Sequence, residues 1–210
     1  MGGGEVHYAG ACDALAELAH RHNIPVGETQ AGKSSMPWDD DLNLGSIGGT
    51  GASSANAIAE NADLIIAVGT RLQDFTTVSW ALFKHPDRRI LSINVAAYDA
   101  AKHNAIAVTG DAKITLVEIV NMLGDYRAPA IDAGLKSDWI AAVDKVTATP
   151  TGNALPTDAQ VIGAVQRSVD DDAIVVCAAG GLPGELHKLW KAAKPNGYHV
   201  EYGFSCMGYE

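Results

Sequence analysis

Ala62-Asp-Leu-Ile-Ile-Ala-Val-Gly69 is the stretch that decides the fold. From Leu64 to Val68 no polar side chain interrupts it, and the run has the length of a strand, not of a membrane helix. A strand apolar at every position is the kind buried on both faces of a parallel sheet. Arg89-Ile-Leu-Ser-Ile-Asn-Val95 reads as a second such strand and Ala105-Ile-Ala-Val-Thr109 as a third. Upstream, residues 11–22 place Ala11, Leu15, Leu18 and Ala19 on one helical face. Asn23 ends that helix, and Ile24-Pro-Val-Gly-Glu-Thr29 makes a short strand. Ser53 or Ser54 caps a helix through 55–61, and Gly110-Asp111 leads into a helix over 112–123. Helices and apolar strands alternate at the spacing of βα units. That predicts an α/β fold, a doubly wound parallel sheet with helices on both faces, over residues 1–125.

The periodicity weakens over residues 126–156, where Pro129, Gly134, Pro150, Gly152 and Pro156 break it. One helix-like segment, 137–146, carries Trp139, so this stretch reads as a linker with one helix. A second unit spans 157–210. Thr157 or Asp158 caps a helix through 159–169, with Val161, Ile162, Val165 and Val169 as its apolar stripe. Ala173-Ile-Val-Val-Cys177 is a buried strand, Ala178-Ala-Gly-Gly-Leu-Pro-Gly184 a turn into a helix over 185–193, and 199–202 one more strand. A sheet begun this way needs more strands than these, which predicts an incomplete second α/β unit.

Charge excludes some functions. The chain carries 15 Lys and Arg against 25 Asp and Glu, a net charge of -10, and no Lys/Arg run. Nucleic-acid binding needs clustered cations, so no nucleic-acid partner is expected. No apolar stretch approaches the ~20 residues that span a bilayer, and no membrane partner is expected either. Met1-Gly-Gly-Gly4 lacks the basic and apolar regions of a signal peptide. Cys12, Cys177 and Cys206 are scattered, with no CxxC and no Cys/His pair at zinc spacing, which fits a reducing cytoplasm. Hydrophobic residues make up 47% of the chain, ample for a core, while 19% charged residues is low for a soluble surface. Either some surface is normally covered by partner segments, or a chain rich in Ala and Gly has an ordinary surface.

Four loops carry candidate chemistry. The Gly-rich stretch Gly45–Gly51 before a helix is either a tight turn or a phosphate site, since glycine lets backbone approach an anion and a helix N-terminus favours one. Val68-Gly-Thr-Arg-Leu-Gln-Asp-Phe75 follows the carboxyl end of a strand, where open α/β sheets bind ligands. Arg71 there holds an anion or pairs with Asp74. Glu28-Thr-Gln-Ala-Gly-Lys-Ser-Ser-Met-Pro-Trp38 reads as a long surface loop with one anchoring Trp, ahead of a binding lip. In Ala178–Gly184, the bare N–H groups of Gly180 and Gly181 at a helix start suit a diphosphate. Cys206 has no His tied to it in a nucleophile pattern.

Taken together, these residues resemble the thiamine diphosphate enzymes related to acetohydroxyacid synthase. Leu44-Gly-Ser-Ile-Gly-Gly-Thr50 and Val68-Gly-Thr-Arg-Leu-Gln-Asp74 are similar to landmarks of the family's central domain. Gly203-Phe-Ser-Cys-Met-Gly-Tyr209 resembles its cofactor-facing turn. Within the family, Glu28-Thr-Gln-Ala-Gly-Lys-Ser34, Gly69-Thr-Arg-Leu-Gln-Asp-Phe-Thr-Thr77 and Ala179-Gly-Gly-Leu-Pro-Gly-Glu-Leu-His-Lys188 resemble the branch that opens a cyclic 1,2-diketone in myo-inositol breakdown, cleaving a C–C bond with water.

The resemblance implies a thiamine diphosphate and Mg²⁺ enzyme, homo-oligomeric when full length, of which this chain is an internal piece. It implies Gly180 and Gly181 beside the diphosphate, the Ser205 carbonyl toward the aminopyrimidine and Met207 pressed on the cofactor. Synthases often have polar side chains where this chain has Gly181-Leu182, so backbone contacts there have to suffice. Gly48 and Arg71 lie where some relatives bind a nucleotide, and are expected to be a vestigial site. The activating glutamate belongs to a preceding segment and the Mg²⁺ ligands to a following one. No catalytic residue and no metal ligand is therefore expected in this chain, nor tight cofactor binding or turnover by it alone. The rival expectation is a stand-alone nucleotide-binding α/β module.

Overall fold

The apolar run at 64–68 becomes the strand its composition demands. Before it come α1 (Glu5–Tyr8), α2 (Cys12–His22), β1 (Val26–Glu28), β2 (Asn43–Ser46) and α3 (Ser53–Asn61), and the run itself is β3 (Leu64–Val68). It is followed by α4 (Asp74–Thr77), β4 (Arg89–Asn94), α5 (Ala97–Ala100), β5 (Ile106–Thr109) and α6 (Ala112–Leu123). Beyond these lie α7 (Gly134–Val146), α8 (Asp158–Gln166), β6 (Val175–Cys177), α9 (Gly181–Leu189) and β7 (Tyr198–Val200). This is a computed structural model, and it describes residues 1–201 and 207–209.

All strand pairs are parallel. β3 pairs with β4 in the register Ile66–Leu91, and β4 with β5 in the register Ile93–Val108. β1 pairs with β2, with a register shift between Val26 and Glu28. The two groups meet at residues 1–3, whose glycines carry no strand pattern in the sequence. Gly2 bridges Glu28 on one side and Val68 on the other, both in parallel. Gly2 N–H donates to Gly27 O at 3.0 Å and Gly3 N–H to Val68 O at 2.8 Å. A side chain at position 3 would strike the Gly69 carbonyl, so only glycine lets the neighbouring backbone come this close. The order across the sheet is β2, β1, residues 1–3, β3, β4, β5. The chain winds one way from the centre and then the other, a doubly wound parallel sheet.

Side chains of β3 alternate between two cores. Val68, with Ile66, faces Leu15, Leu18, Ile93, Leu116 and Val120 beneath α2 and α6. Ile65 and Ala67 face Leu44, Ala55, Ala59, Leu82, Phe83 and Ile90 on the α3 side. Burying each such aliphatic side chain contributes about 1.5–3 kcal/mol. Caps fix the helix ends. Asn23 takes a left-handed φ of 54° after α2, and the Asp111 carboxylate accepts from Ile114 N–H before α6. Thr157, of the two candidates, caps α8 in a reciprocal capping box with Gln160.

Several expectations need correction. Neither Ser53 nor Ser54 caps α3: its N-cap is Ala52, and Ser54 Oγ donates to Leu44 O at 2.6 Å. The Gly-rich stretch contains a strand, β2. β5 is an exposed edge strand, not a strand buried on both faces, because nothing among the described residues pairs beyond it. In the second unit β6 and β7 pair in parallel over a core of Val143, Ile162, Cys177, Leu186, Leu189, Trp190 and Tyr198. α8 ends at Gln166, and of its expected apolar stripe only Ile162 is buried. α7 is more than a spacer: Trp139 packs against the cores of both units.

Candidate cofactor-facing site

The turn after β6 is open and built from backbone. Cys177 ends the strand, and α9 begins at Gly181, four residues earlier than the sequence suggests. Pro183 falls inside the first turn, where a missing N–H removes no helical bond. Gly180 caps the helix at φ 143°, ψ -172°, a conformation that favours glycine. Gly181 has nothing within 4 Å of the place a side chain would occupy. First-turn N–H groups have no partner within a helix, and the helix dipole adds positive potential there. Gly180 and Gly181 therefore form an exposed turn that presents backbone groups and open space to solvent. Leu182 beside them adds no polar group. Among the described residues, no cluster of three or more His, Cys, Asp or Glu side chains fits a metal ion.

The opposite face of α9 is locked. His187 is fully buried, and its Nδ1 lies 2.9 Å from Thr50 Oγ1. Gln30 Nε2 donates to the same Thr50 oxygen at 2.9 Å, so the Thr50 hydroxyl proton is free to point at His187. Tyr198 OH donates to Gln30 Oε1 at 3.1 Å, and Cys177 Sγ lies 3.8 Å from Tyr198 OH. The His187 carbonyl also accepts from Ser46 Oγ. Burial, and then the nearby Lys33 ammonium, pushes His187 down from its ordinary 6.5 to about 3, so the ring is neutral. Its Nε2 is buried without a hydrogen-bond partner.

The loop read as a surface loop is not one. Lys33 is only 5% exposed, and Ser34, Ser35 and Met36 are buried with it. Desolvation pushes the Lys33 ammonium below its usual range and Glu28 partly offsets this. Its Nζ sits 5.7 Å from the centre of the Tyr198 ring. Glu28 Oε1 accepts from Ser35 Oγ at 3.2 Å and Met36 N–H at 3.1 Å. Lys33 and Glu28 border a cavity of about 30 Å³, room for a water. Trp38 N–H donates to Ala192 O at 3.0 Å, and Lys191 Nζ lies 4.6 Å from the Trp38 ring centre. The signal was present in sequence: a dense polar run at a strand's carboxyl end, and a His between Leu186 and Leu189 on a helix's apolar face.

The remaining candidates are dispersed. Met207 is 84% exposed, and Ser205 and Cys206 lie outside the described residues. Gly48 is buried in the Gly-rich loop, where its N–H donates to Asn56 Oδ1 and its carbonyl accepts from Asn56 Nδ2, both at 3.0 Å. Arg71 is exposed, and among the described residues it makes no ion pair with Asp74 or any other carboxylate. Burial, with Asp13 and Glu28 nearby, raises the Cys12 thiol above its ordinary value, which argues against a thiolate nucleophile. A groove of about 630 Å³ beside α7, bordered by Asp41, Asp132, Asp144 and Lys136, touches neither the turn nor the His187 network. No helix is long and apolar enough to cross a membrane among the described residues.

Comparison with known proteins gives these parts a context. Residues 1–119 match the family model of the thiamine pyrophosphate enzyme central domain. The chain is similar to 3D-(3,5/4)-trihydroxycyclohexane-1,2-dione hydrolase of Clostridium tetani (strain Massachusetts / E88), with 42% identity covering 99% of this chain and 36% of that protein. The protein of the same name from Clostridium botulinum (strain Alaska E43 / Type E3) is 40% identical, again over 99% and 36%. That from Geobacillus thermodenitrificans (strain NG80-2) is 42% identical, also over 99% and 36%. The chain thus spans about a third of the length of the curated relatives it matches. With its doubly wound parallel sheet and a family match over more than half its length, the chain belongs to the thiamine pyrophosphate enzymes, with residues 1–119 as their central domain.

Proposed function

We propose that this chain is part of a thiamine diphosphate-dependent hydrolase that cleaves a C–C bond of trihydroxycyclohexanedione, a cyclic 1,2-diketone, in myo-inositol breakdown. The observation that carries the reading is identity of about 40% to hydrolases of that name along nearly the whole chain, second unit included. The open turn at Gly180–Gly181 supports it from the chemical side, since it offers backbone N–H groups and space to a diphosphate. When bound, thiamine diphosphate supplies a nucleophilic carbon and an electron sink. This chain's own part is to seat the diphosphate on the first turn of α9 and to hold that turn at a fixed place on the central domain. The catalytic glutamate and the Mg²⁺ ligands belong, in this reading, to other segments of a longer homo-oligomeric, cytoplasmic protein. The stand-alone nucleotide module is the weaker reading, because both backbone groups of Gly48 are already bonded to Asn56.

The test is turnover of trihydroxycyclohexanedione with thiamine diphosphate and Mg²⁺. The 210-residue chain alone is expected to be inactive and to show no micromolar cofactor binding by calorimetry. The same chain within its longer reading frame is expected to consume the diketone. Turnover by the repurified short chain, or a long protein that consumes no cyclic diketone, overturns the proposal.

A further inference from the structure

We propose that the hydrogen-bonded series Tyr198–Gln30–Thr50–His187 positions the diphosphate turn, with Thr50 as its central link. The inference rests on the reading of Gly180 and Gly181 as the diphosphate cradle and deepens it. The turn itself is held weakly: Gly180 and Gly181 are exposed, and Gly181 touches nothing where a side chain would be. Its position must come from the two elements it joins, β6 and α9.

Both are tied to the central domain by the same series. α9 is fixed by the His187 ring on Thr50 and by the His187 carbonyl on Ser46, at the end of β2. β6 is flanked by β7, whose Tyr198 reaches Gln30 in the loop after β1. Gln30 and Thr50 are bonded to each other, which closes the circuit inside the central domain. Tyr198 donates to Gln30 and Gln30 to Thr50, whose hydroxyl oxygen lies 2.9 Å from His187 Nδ1. Loss of the Thr50 hydroxyl leaves Nδ1 of the buried His187 and the Gln30 amide without this partner, and a buried polar group left unpaired is costly. The least expensive relief is for α9 to move or fray, and the cradle moves with it. A helix that only had to be buried would carry an apolar side chain at position 187.

The experiment follows the amides of Gly180, Gly181 and Leu182 by NMR during titration with inorganic pyrophosphate, together with amide exchange across the chain. Wild type is expected to show saturable shifts at these three amides. Thr50→Val should weaken pyrophosphate by several-fold and speed exchange in α9 by about tenfold, one lost hydrogen bond's worth, with β3 and β4 unchanged. Thr50→Ser, which keeps the hydroxyl, should restore both. Tyr198→Phe breaks the series at its far end without touching His187, and should give a smaller change of the same sign. It also decides the matter should Thr50→Val fail to fold. Wild-type pyrophosphate affinity and α9 exchange in Thr50→Val and Tyr198→Phe overturn the positioning role. Shifts confined to exposed lysines mark an adventitious ion only and overturn the diphosphate reading. Exchange in α9 then still decides the series, and unchanged protection sinks it.

Discussion

Two apolar strands of this chain have different fates. β3 lies inside a sheet with a core on each face, and its Ile65 is 6% exposed. β6 has a similar apolar sequence, yet its Val176 is 42% exposed, and Val161, Val165 and Ile174 of the same unit are exposed too. One strand has neighbours on both sides and helices above and below; the other, among the described residues, has one paired strand and one packed face. The difference teaches that an apolar run states what a strand must have covered. It does not state what covers it.

Substitutions at matched places should expose that contrast, beginning with the most severe. Ile65→Asp places an unpaired carboxylate between β3 and α3, and is expected to cost several kcal/mol, on the order of a whole domain's stability. Circular dichroism should find the first unit unfolded at 25 °C. A melting temperature within a few degrees of wild type would mean the two strands are not so different. Leu116→Ala removes a fully buried side chain beneath the sheet and should cost about 2–5 kcal/mol in urea unfolding, whereas Val165→Ala on the open face of α8 should cost under about 0.5 kcal/mol. Equal losses would erase the distinction.

pH sharpens the comparison where the regions meet. His187 is near 3 when folded against an ordinary 6.5, so between those values the unfolded chain takes up a proton that the folded chain refuses. That contribution is fully present above pH 6.5 and is lost as pH falls from there toward 3. From pH 6.5 to 5 the loss is expected to be about 2 kcal/mol, with His187→Gln showing a flatter profile over the same window. A profile as steep in the variant would assign the effect to other groups. The smallest effect is expected from Val176→Asp, within about 0.5 kcal/mol of wild type by urea unfolding, because solvent already reaches the site. A large loss there would show the second sheet to be better covered than its exposure indicates.

Much of the central domain is legible from local pattern. Five apolar residues at 64–68, Asn23 at a helix end and Asp111 at a helix start each answer to physics within a few residues. What escaped is non-local. Residues 1–3 have no apolar side chain after Met1, and they become a sheet position only because Gly27 and Val68 offer carbonyls on either side. Lys33 reads as solvated in any window of sequence, and in the fold it lies under Tyr198, which arrives from the far end of the chain. The glycines at 180 and 181 are legible as a turn, but α9 starts at Gly181 and not at Glu185, with Pro183 in a first-turn position that tolerates it.

Residues 1–3 also set how the molecule can assemble. Among the described residues β1 and β2 do not pair directly with β3, β4 or β5; residues 1–3 carry the main-chain hydrogen bonds between the two groups. Their partner Val68 arrives after β1, β2 and α3 in the chain, so this sheet position is completed only by a long-range contact. Such long-range closure slows folding relative to local hairpins and helices. It also makes the seam a composite joint: residues 1–3 carry the main-chain links, and behind them Val26 packs with Val68 on one face and Leu44 with Ile65 on the other, so the two halves are laced by backbone and riveted by side chains.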